Sequence, residues 1–164
     1  MTGAERSHAV VVARCGGLRL GVPLEAVHKV VTAPLLTPLP DAPTRVAGLA
    51  NLHGAPLVVL DISGTAVPAG RPELEARLMV VETAQRRCGL LCDQVEGTLR
   101  LPEEAWSALD DLVPGAGYLA GGRPGEEDLI VLRDPDGWLS EGDEQQLRQA
   151  LERHRAGGAG EAGA

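Results

Sequence analysis

The chain has 164 residues, enough for one sizeable domain or two small barrels sharing a core, and its apolar residues are almost wholly Val, Leu, Ala and Ile, with no Phe, one Tyr and two Trp. So thin an aromatic content argues against platforms that stack bases or sugars. A formal charge of -8, from 15 basic and 23 acidic side chains, sets up a field that repels nucleic acid and anionic membrane surfaces and attracts basic partner surfaces.

Residues 1–7 lack the apolar stretch of a signal peptide and are expected to be flexible. No apolar run approaches the roughly 20 residues that cross a bilayer, so the expected location is the cytoplasm. Residues 8–14 and 17–22 are apolar runs split by Cys15-Gly16-Gly17, a spacing that predicts a short hairpin. Pro23-Leu24-Glu25-Ala26 fits one helical turn, with proline at its start, before an extended run over Val27 to Thr32. Pro34, Pro38, Pro40 and Pro43 then oppose regular sheet pairing and predict a surface loop. From Val46 the chain reads as a strand, a tight Asn51-Leu52-His53-Gly54 corner and a second, β-branched strand ending on Asp61.

The segment 63–77, with Gly64, Pro68, Gly70 and Pro72, is the expected soft boundary between two halves of a domain spanning 8–155. Residues 78–83, 87–92 and 95–101 predict a second meander, and Pro102-Glu-Glu-Ala-Trp-Ser-Ala-Leu109 a short helical turn. Residues 114–118 lead back into strand, Gly121 to Gly125 form a corner, and 129–133 are the last strand. Leu147, Ala150, Leu151 and His154 recur at helical spacing, with Ser140 as N-cap and Asp143 three residues on. The Gly/Ala tail 156–164 has little to bury and is expected to be disordered.

The chain also repeats itself. Ala9-Val-Val-Val-Ala13, Leu18-Arg-Leu-Gly-Val22 and Val27-His-Lys-Val-Val31 resemble Leu78-Met-Val-Val-Glu82, Cys88-Gly-Leu-Leu-Cys92 and Val95-Glu-Gly-Thr-Leu99. Ala47-Gly48-Leu49 is echoed by Ala116-Gly117-Tyr118, and the run into Asp61 by Asp128 to Asp134. Two similar all-β units in one chain is the economical reading.

Reaction chemistry is sparse. Cys15, Cys88 and Cys92 form no Cys-x-x-Cys pair and read as small buried hydrophobes, while His8, His28, His53 and His154 lack the spacing of metal ligands. Ser63-Gly64 lacks the leading glycine of a nucleophile elbow, and no Gly-Lys-Ser/Thr follows the glycine-rich 115–117 and 121–125. The acidic clusters Asp110-Asp111 and Glu126-Glu127-Asp128 read as solvated loops. Asp61 suits either a carboxylate that fixes a corner by accepting backbone N–H bonds or an exposed interface charge.

The stretch Gly48-Leu-Ala-Asn51-Leu52-His53-Gly54-Ala-Pro-Leu-Val-Val-Leu-Asp61 resembles the signature of CheW-like chemotaxis coupling proteins, usually Gly-x-x-Asn-Leu-Arg-Gly followed by a strand ending in Asp-Leu. The hairpin at 8–22, the Val27-x-x-Val30 strand with its proline-bearing loop, and Gly89-Leu-Leu-Cys-Asp93-x-Val95 extend the resemblance over roughly 8–155. It implies a mostly all-β fold of two intertwined five-stranded SH3-like barrels, with short helical turns, a C-terminal helix, and a chain that can cross between barrels. It also implies a scaffold without catalytic activity, cofactor or metal. Such a scaffold joins the cytoplasmic tips of methyl-accepting chemoreceptors to the regulatory domain of a CheA-type histidine kinase, with other CheW-like proteins as further partners, and takes no nucleic acid and does not insert into membrane.

Carried onto this chain, the resemblance places Val27, Gly48 and Val95 at or near a receptor groove, with core packing as the alternative for the valines and a backbone constraint for Gly48. The turn Asn51, Leu52, His53 and Gly54 carries the signature. Two positions depart from it: Lys29 stands where the family has Glu, and His53 where it has Arg. A Glu-Arg pair attracts and can be bidentate, whereas Lys beside imidazole makes at best one hydrogen bond. The departure implies altered contacts, up to an accessory protein that binds receptors without effective kinase coupling. A small β-barrel enzyme or ligand-binding module is the remaining alternative.

Overall fold

The computed structural model describes residues 7–62, 74–102, 106–108, 119–121, 129–132 and 135–162. A hairpin of β1 (Ser7–Cys15) and β2 (Leu18–Pro23) opens the chain, with Cys15 opposite Leu18. A 3-10 turn at Leu24–Ala26 leads to β3 (Val27–Thr32), β4 (Leu36–Thr37), β5 (Val46–Leu52) and β6 (Ala55–Leu60). Then follow β7 (Arg77–Glu82), β8 (Arg87–Cys92), β9 (Gln94–Pro102), β10 (Trp106–Ala108), β11 (Leu119–Gly121), β12 (Ile130–Leu132), a 3-10 turn at Pro135–Gly137 and helix α1 (Glu141–Ala162).

Two six-stranded sheets result, ordered β10-β11-β12-β2-β1-β9 and β3-β7-β8-β6-β5-β4. Read from matching ends the orders are the same, with β1 to β6 taking the places of β7 to β12, and each sheet has its parallel pair in the same place, β12 beside β2 and β6 beside β8. The duplication in the sequence is therefore structural. Its two units exchange their first hairpins: β1 and β2 join β9 to β12, and β7 and β8 join β3 to β6. The segment 63–77 divides the sequence repeats and joins two strands of one sheet, because the sheets form across that boundary; residues 63–73 lie outside the described part.

Side-chain alternation explains how the sheets stack. On β7, Leu78 and Val80 enter a cluster with Leu36, Ala50, Leu57, Val59 and Leu91, to which β3 adds Val31. All six strands of that sheet thus line one core, which requires the sheet to curl around it as a barrel. Val10, Val12, Leu99, Leu101, Ile130 and Leu132 form the corresponding core of the other sheet. The opposite faces, Val11, Ala13, Cys15, Leu20 and Val22 from one sheet and Leu49, Val58, Leu60, Met79, Val81, Cys88, Leu90 and Cys92 from the other, meet in a third cluster between the barrels. At roughly 1.5–3 kcal/mol for each large aliphatic side chain withdrawn from water, this shared cluster holds the barrels together.

These faces also fix the repeat register. Val10 of β1 matches Leu78 of β7, since both face their own barrel. Aligning Ala9 with Leu78, as the apolar runs suggest, is one residue out and would turn the matching faces over.

Three local expectations are corrected. The proline-bearing stretch is more than a surface loop: Leu36 and Leu39 are buried, and Leu36-Thr37 pairs with β5 as an end strand, the place where a sheet tolerates nearby prolines. Trp106–Ala108 is a strand paired with β11, not part of a helical turn; sheet pairing overrides the local helical composition. With β4 and β10 as end strands, each sheet has one strand more than the five implied by resemblance.

The C-terminal helix begins as expected, with the Asp143 N–H donating to Ser140 Oγ at 3.0 Å and the Ser140 N–H to Asp143 Oδ2 at 3.2 Å. Leu147 and Ala150 are buried in the inter-barrel cluster, Leu151 packs on it and His154 is exposed. The helix continues to Ala162, through most of the tail expected to be disordered; once nucleated, a helix gains one hydrogen bond for each further residue it fixes. Of the expected flexible stretch 1–7, Ser7 opens β1, while residues 1–6, the corner within 122–125, the echo at 116–118 and the acidic clusters at 110–111 and 126–128 lie outside the described residues.

Candidate docking surfaces

The signature turn comes from a two-residue connection. Leu52 pairs with Ala55, leaving His53 (φ 52°) and Gly54 (φ 89°) as the loop. Both lie at positive φ, the backbone that matches the twist of the flanking strands in a hairpin of this length. Gly54 N–H donates to Asn51 Oδ1 at 2.7 Å, so the Asn side chain braces the corner. Asn51, His53 and Gly54 are exposed, while Leu52 packs against the core of its barrel.

Gly48 is buried, with φ 151°, beside a bulge at Ala47. A Cβ built there would lie 2.6 Å from Thr37 O, so Gly48 is the point where β4 closes onto β5. Its role in the described structure is the backbone constraint weighed above.

Val27 is the first residue of β3 and Val95 the second of β9, and each is followed by a one-residue register shift. Val27 faces Val81 and Lys29 faces Val80, with His28 the extra residue; Val95 faces Ala13 and Gly97 faces Val12, with Glu96 the extra residue. Both valines are half-buried and pack against the inter-barrel cluster, one from each sheet. The fold therefore brings these two, distant in sequence, to one cluster, partly covered and partly open. Gly48 and the 51–54 turn lie on other strands of the second sheet.

Lys29 is half-buried and His53 exposed, and among the described residues neither makes a side-chain hydrogen bond or ion pair. Charge near Val95 is balanced locally. Arg19 Nε donates to Glu96 Oε2 at 2.9 Å, and Arg14 Nε lies 3.8 Å from the same oxygen. The corner-fixing carboxylate expected of Asp61 is seen at Asp93, which accepts the Gly16 N–H at 2.7 Å while its own N–H donates to Arg14 O at 2.8 Å. Asp61, half-buried, donates its backbone N–H to Arg45 O at 2.7 Å.

Sequence reasoning missed how α1 is fastened. Arg86, in the β7–β8 turn, makes a two-pronged contact with Glu144, with Nη1 2.8 Å from Oε1. That partner raises the Arg86 pKa against the opposing effect of burial. Asp136 accepts the Ala84 N–H at 2.6 Å, and at the other side of the helix Gln146 and Arg153 bond to Asp41. No local pattern joins Arg86 to Glu144; their one sequence signal is opposite charge. With Trp138 and Leu139 buried beneath it, α1 covers part of the inter-barrel cluster.

The three cysteines are buried, as expected of small apolar residues. Burial pushes the Cys88 thiol up to about 12. Cys92 is raised by a hydrogen bond with Cys15 and then by burial. Among the described residues there is no group of three or more His, Cys, Asp or Glu able to hold a metal ion, and no helix is long and apolar enough to cross a membrane.

Comparison with known proteins matches this architecture. Protein FrzA of Myxococcus xanthus is 40% identical over 91 residues, covering 54% of this chain and 56% of FrzA. Protein PilI of Pseudomonas aeruginosa is 33% identical over 95 residues, covering 57% of this chain and 53% of PilI. Chemotaxis protein CheW of Rhizobium meliloti is 30% identical over 95 residues, covering 57% and 61%. The aligned part is thus little more than half the length of these relatives. The crystal structure of scaffolding protein TtCheW from Thermoanaerobacter tengcongensis superposes with a TM-score of 0.68 at 18% identity, over 87% of this chain and 94% of that one, a likeness of fold. With the CheW-like domain model matched across residues 9–142, the greater part of its length, the chain belongs to the CheW-like family.

Proposed function

We propose that this protein is a chemosensory adaptor that acts in the cytoplasm, binding the cytoplasmic tips of methyl-accepting chemoreceptors and the regulatory domain of a CheA-type histidine kinase by protein–protein contacts. The observation that carries the reading is the pair Val27 and Val95. They stand at corresponding positions near the starts of β3 and β9, each ahead of a one-residue bulge, and lie half-buried against the cluster between the barrels. A partly open apolar seam between two rigid barrels suits an apolar helical tip, and the exposed Asn51–Gly54 turn offers a polar surface of its own. Family membership and the similarity to a chemotaxis CheW support the same reading.

The test is binding of the purified protein to a receptor cytoplasmic hairpin and, separately, to the kinase regulatory domain. Val27→Asp and Val95→Asp should each weaken receptor binding at least about tenfold, since a carboxylate would be desolvated in the contact, while the far-UV spectrum stays folded. Loss of the folded spectrum assigns the valines to the core and removes them from the site. Binding to neither partner removes the adaptor reading.

A second reading, an accessory protein that binds receptors without effective kinase coupling, is favoured by one observation: among the described residues Lys29 and His53 have no side-chain hydrogen bond or ion pair, where the resemblance implies an oppositely charged pair. Under it, Lys29→Glu with His53→Arg should create or strengthen kinase binding. An unchanged kinase affinity in the double variant refutes it.

A further inference from the structure

Cys15 ends β1 in one barrel and Cys92 ends β8 in the other. The two strand ends are tied by backbone: the Asp93 N–H donates to Arg14 O at 2.8 Å and the Asp93 carboxylate accepts the Gly16 N–H at 2.7 Å. These bonds flank Cys15 on both sides and fix the residue after Cys92, so the two strand ends are held side by side. Both side chains turn into the same inter-barrel cluster, each 1% exposed. Adjacent strand ends with side chains on a common side are the arrangement a disulfide requires.

We infer that Cys15 and Cys92 form a redox staple, a dithiol pre-positioned to close into a disulfide that locks the two barrels together when a low-molecular-weight disulfide is the oxidant. Cys15 is the attacking sulfur. It abuts the exposed Gly16-Gly17 turn, so a local opening of that hairpin end uncovers it, whereas Cys92 is held by its bond to Leu90 O at 3.5 Å and lies near Asp61 and Asp93, whose charge opposes its ionisation. The Cys15 thiolate attacks one sulfur of the oxidant disulfide and expels a thiolate. The Cys92 thiolate then attacks the Cys15 sulfur of the mixed disulfide and expels the second. The protein gives up two electrons and two protons, and both reach the two released thiols. Cys88 shares the cluster but has no thiol partner among the described residues, and serves as an internal control.

The experiment incubates the native chain with oxidised glutathione, then alkylates the remaining thiols and maps the peptides by mass spectrometry. Loss of the mass of two hydrogen atoms is expected, with Cys15 linked to Cys92 and Cys88 the alkylated residue. Because the link closes a long loop, the unfolding midpoint should rise by roughly 5–15 °C and return on reduction. Cys88→Ala should leave the response intact, and Cys15→Ala should abolish it. Three alkylated thiols after oxidation, a bond formed through Cys88, or a Cys15–Cys92 bond that forms only in denaturant would each overturn the inference.

Discussion

Gly48→Ala separates a backbone requirement from a docking role at a position where the family resemblance suggests docking. The glycine has φ 151°, and a Cβ there would sit 2.6 Å from Thr37 O, a backbone atom of β4 that cannot rotate away as a side chain would. A non-glycine residue in this region costs about 1–3 kcal/mol. Forcing β4 and β5 apart adds about 1–3 kcal/mol, as other overpacked sites do. The expected loss is therefore about 2–6 kcal/mol from a total of roughly 5–15. With a urea dependence of about 2 kcal/mol per molar, the midpoint should fall by roughly 1–3 M. Gly54→Ala supplies the comparison, since φ is 89° there but no atom lies within 4 Å of the added carbon. It should show the conformational cost without the steric one, and the difference between the variants isolates the β4 contact. Urea titrations followed by far-UV circular dichroism and by the fluorescence of buried Trp138 measure both. Equal losses in the two variants, or a Gly48→Ala midpoint within about 0.3 M of wild type, would refute the close-approach argument.

Arg86→Ala should cost about 2 kcal/mol by leaving Glu144 half-buried without its partner, and a double-mutant cycle with Glu144→Ala should show coupling of about 1–2 kcal/mol; additive losses would mean that the contact does not fasten α1. Ser140→Ala should remove about 1 kcal/mol through loss of the cap on Asp143, read as a lower unfolding midpoint; an unchanged midpoint would show that the capping bond does not stabilise α1 in solution. The buried Cys88 thiol, raised from 9.0 to about 12, holds its proton in the native state after the unfolded chain has lost it. Its contribution is complete below pH 9 and declines as pH rises toward 12, so stability falls with pH in that window by about 1.4 kcal/mol per unit. Cys88→Ala should fall that much less steeply between pH 9 and 11 in urea titrations. Equal slopes would show that Cys88 is not the titrating group.

Local signals in the sequence reached far into this fold. Glycines between apolar runs marked the β1–β2 hairpin, the bounds of β3 and β8 agree with the apolar patterning, and the Ser140–Asp143 box starts α1 where composition puts it. What local reasoning missed is decided at long range. Trp106–Ala108 follows a Pro-Glu-Glu stretch that favours a helical start, yet it pairs with β11. Pro34 to Pro43 argued against sheet, yet an end strand needs only one bonded edge, and Leu36-Thr37 supplies it. Arg86 and Glu144 meet only because α1 lies across the β7–β8 turn.

The exchange of hairpins is the deepest of these non-local decisions. Each repeat encodes the same strands, so a hairpin of one unit fits the site of the other, and nothing within a single unit distinguishes the two outcomes. The exchange puts both faces of β1, β7 and β8 in apolar surroundings: one face lines a barrel and the other lines the junction. That burial explains why these strands read as near-continuous apolar runs without polar alternation. It also decides how the candidate site can be read. Gly48, Asn51 and Gly54 have structural duties that account for the signature without any partner, since the close approach of β4 and the braced turn need those residues in isolation. Val27 and Val95 are different, because a fully buried pair would serve the fold better than one left half-open. Matched bulges at His28 and Glu96 interrupt the ladder beside each valine, and that irregularity recurs in both units with each valine left half-buried against the inter-barrel cluster.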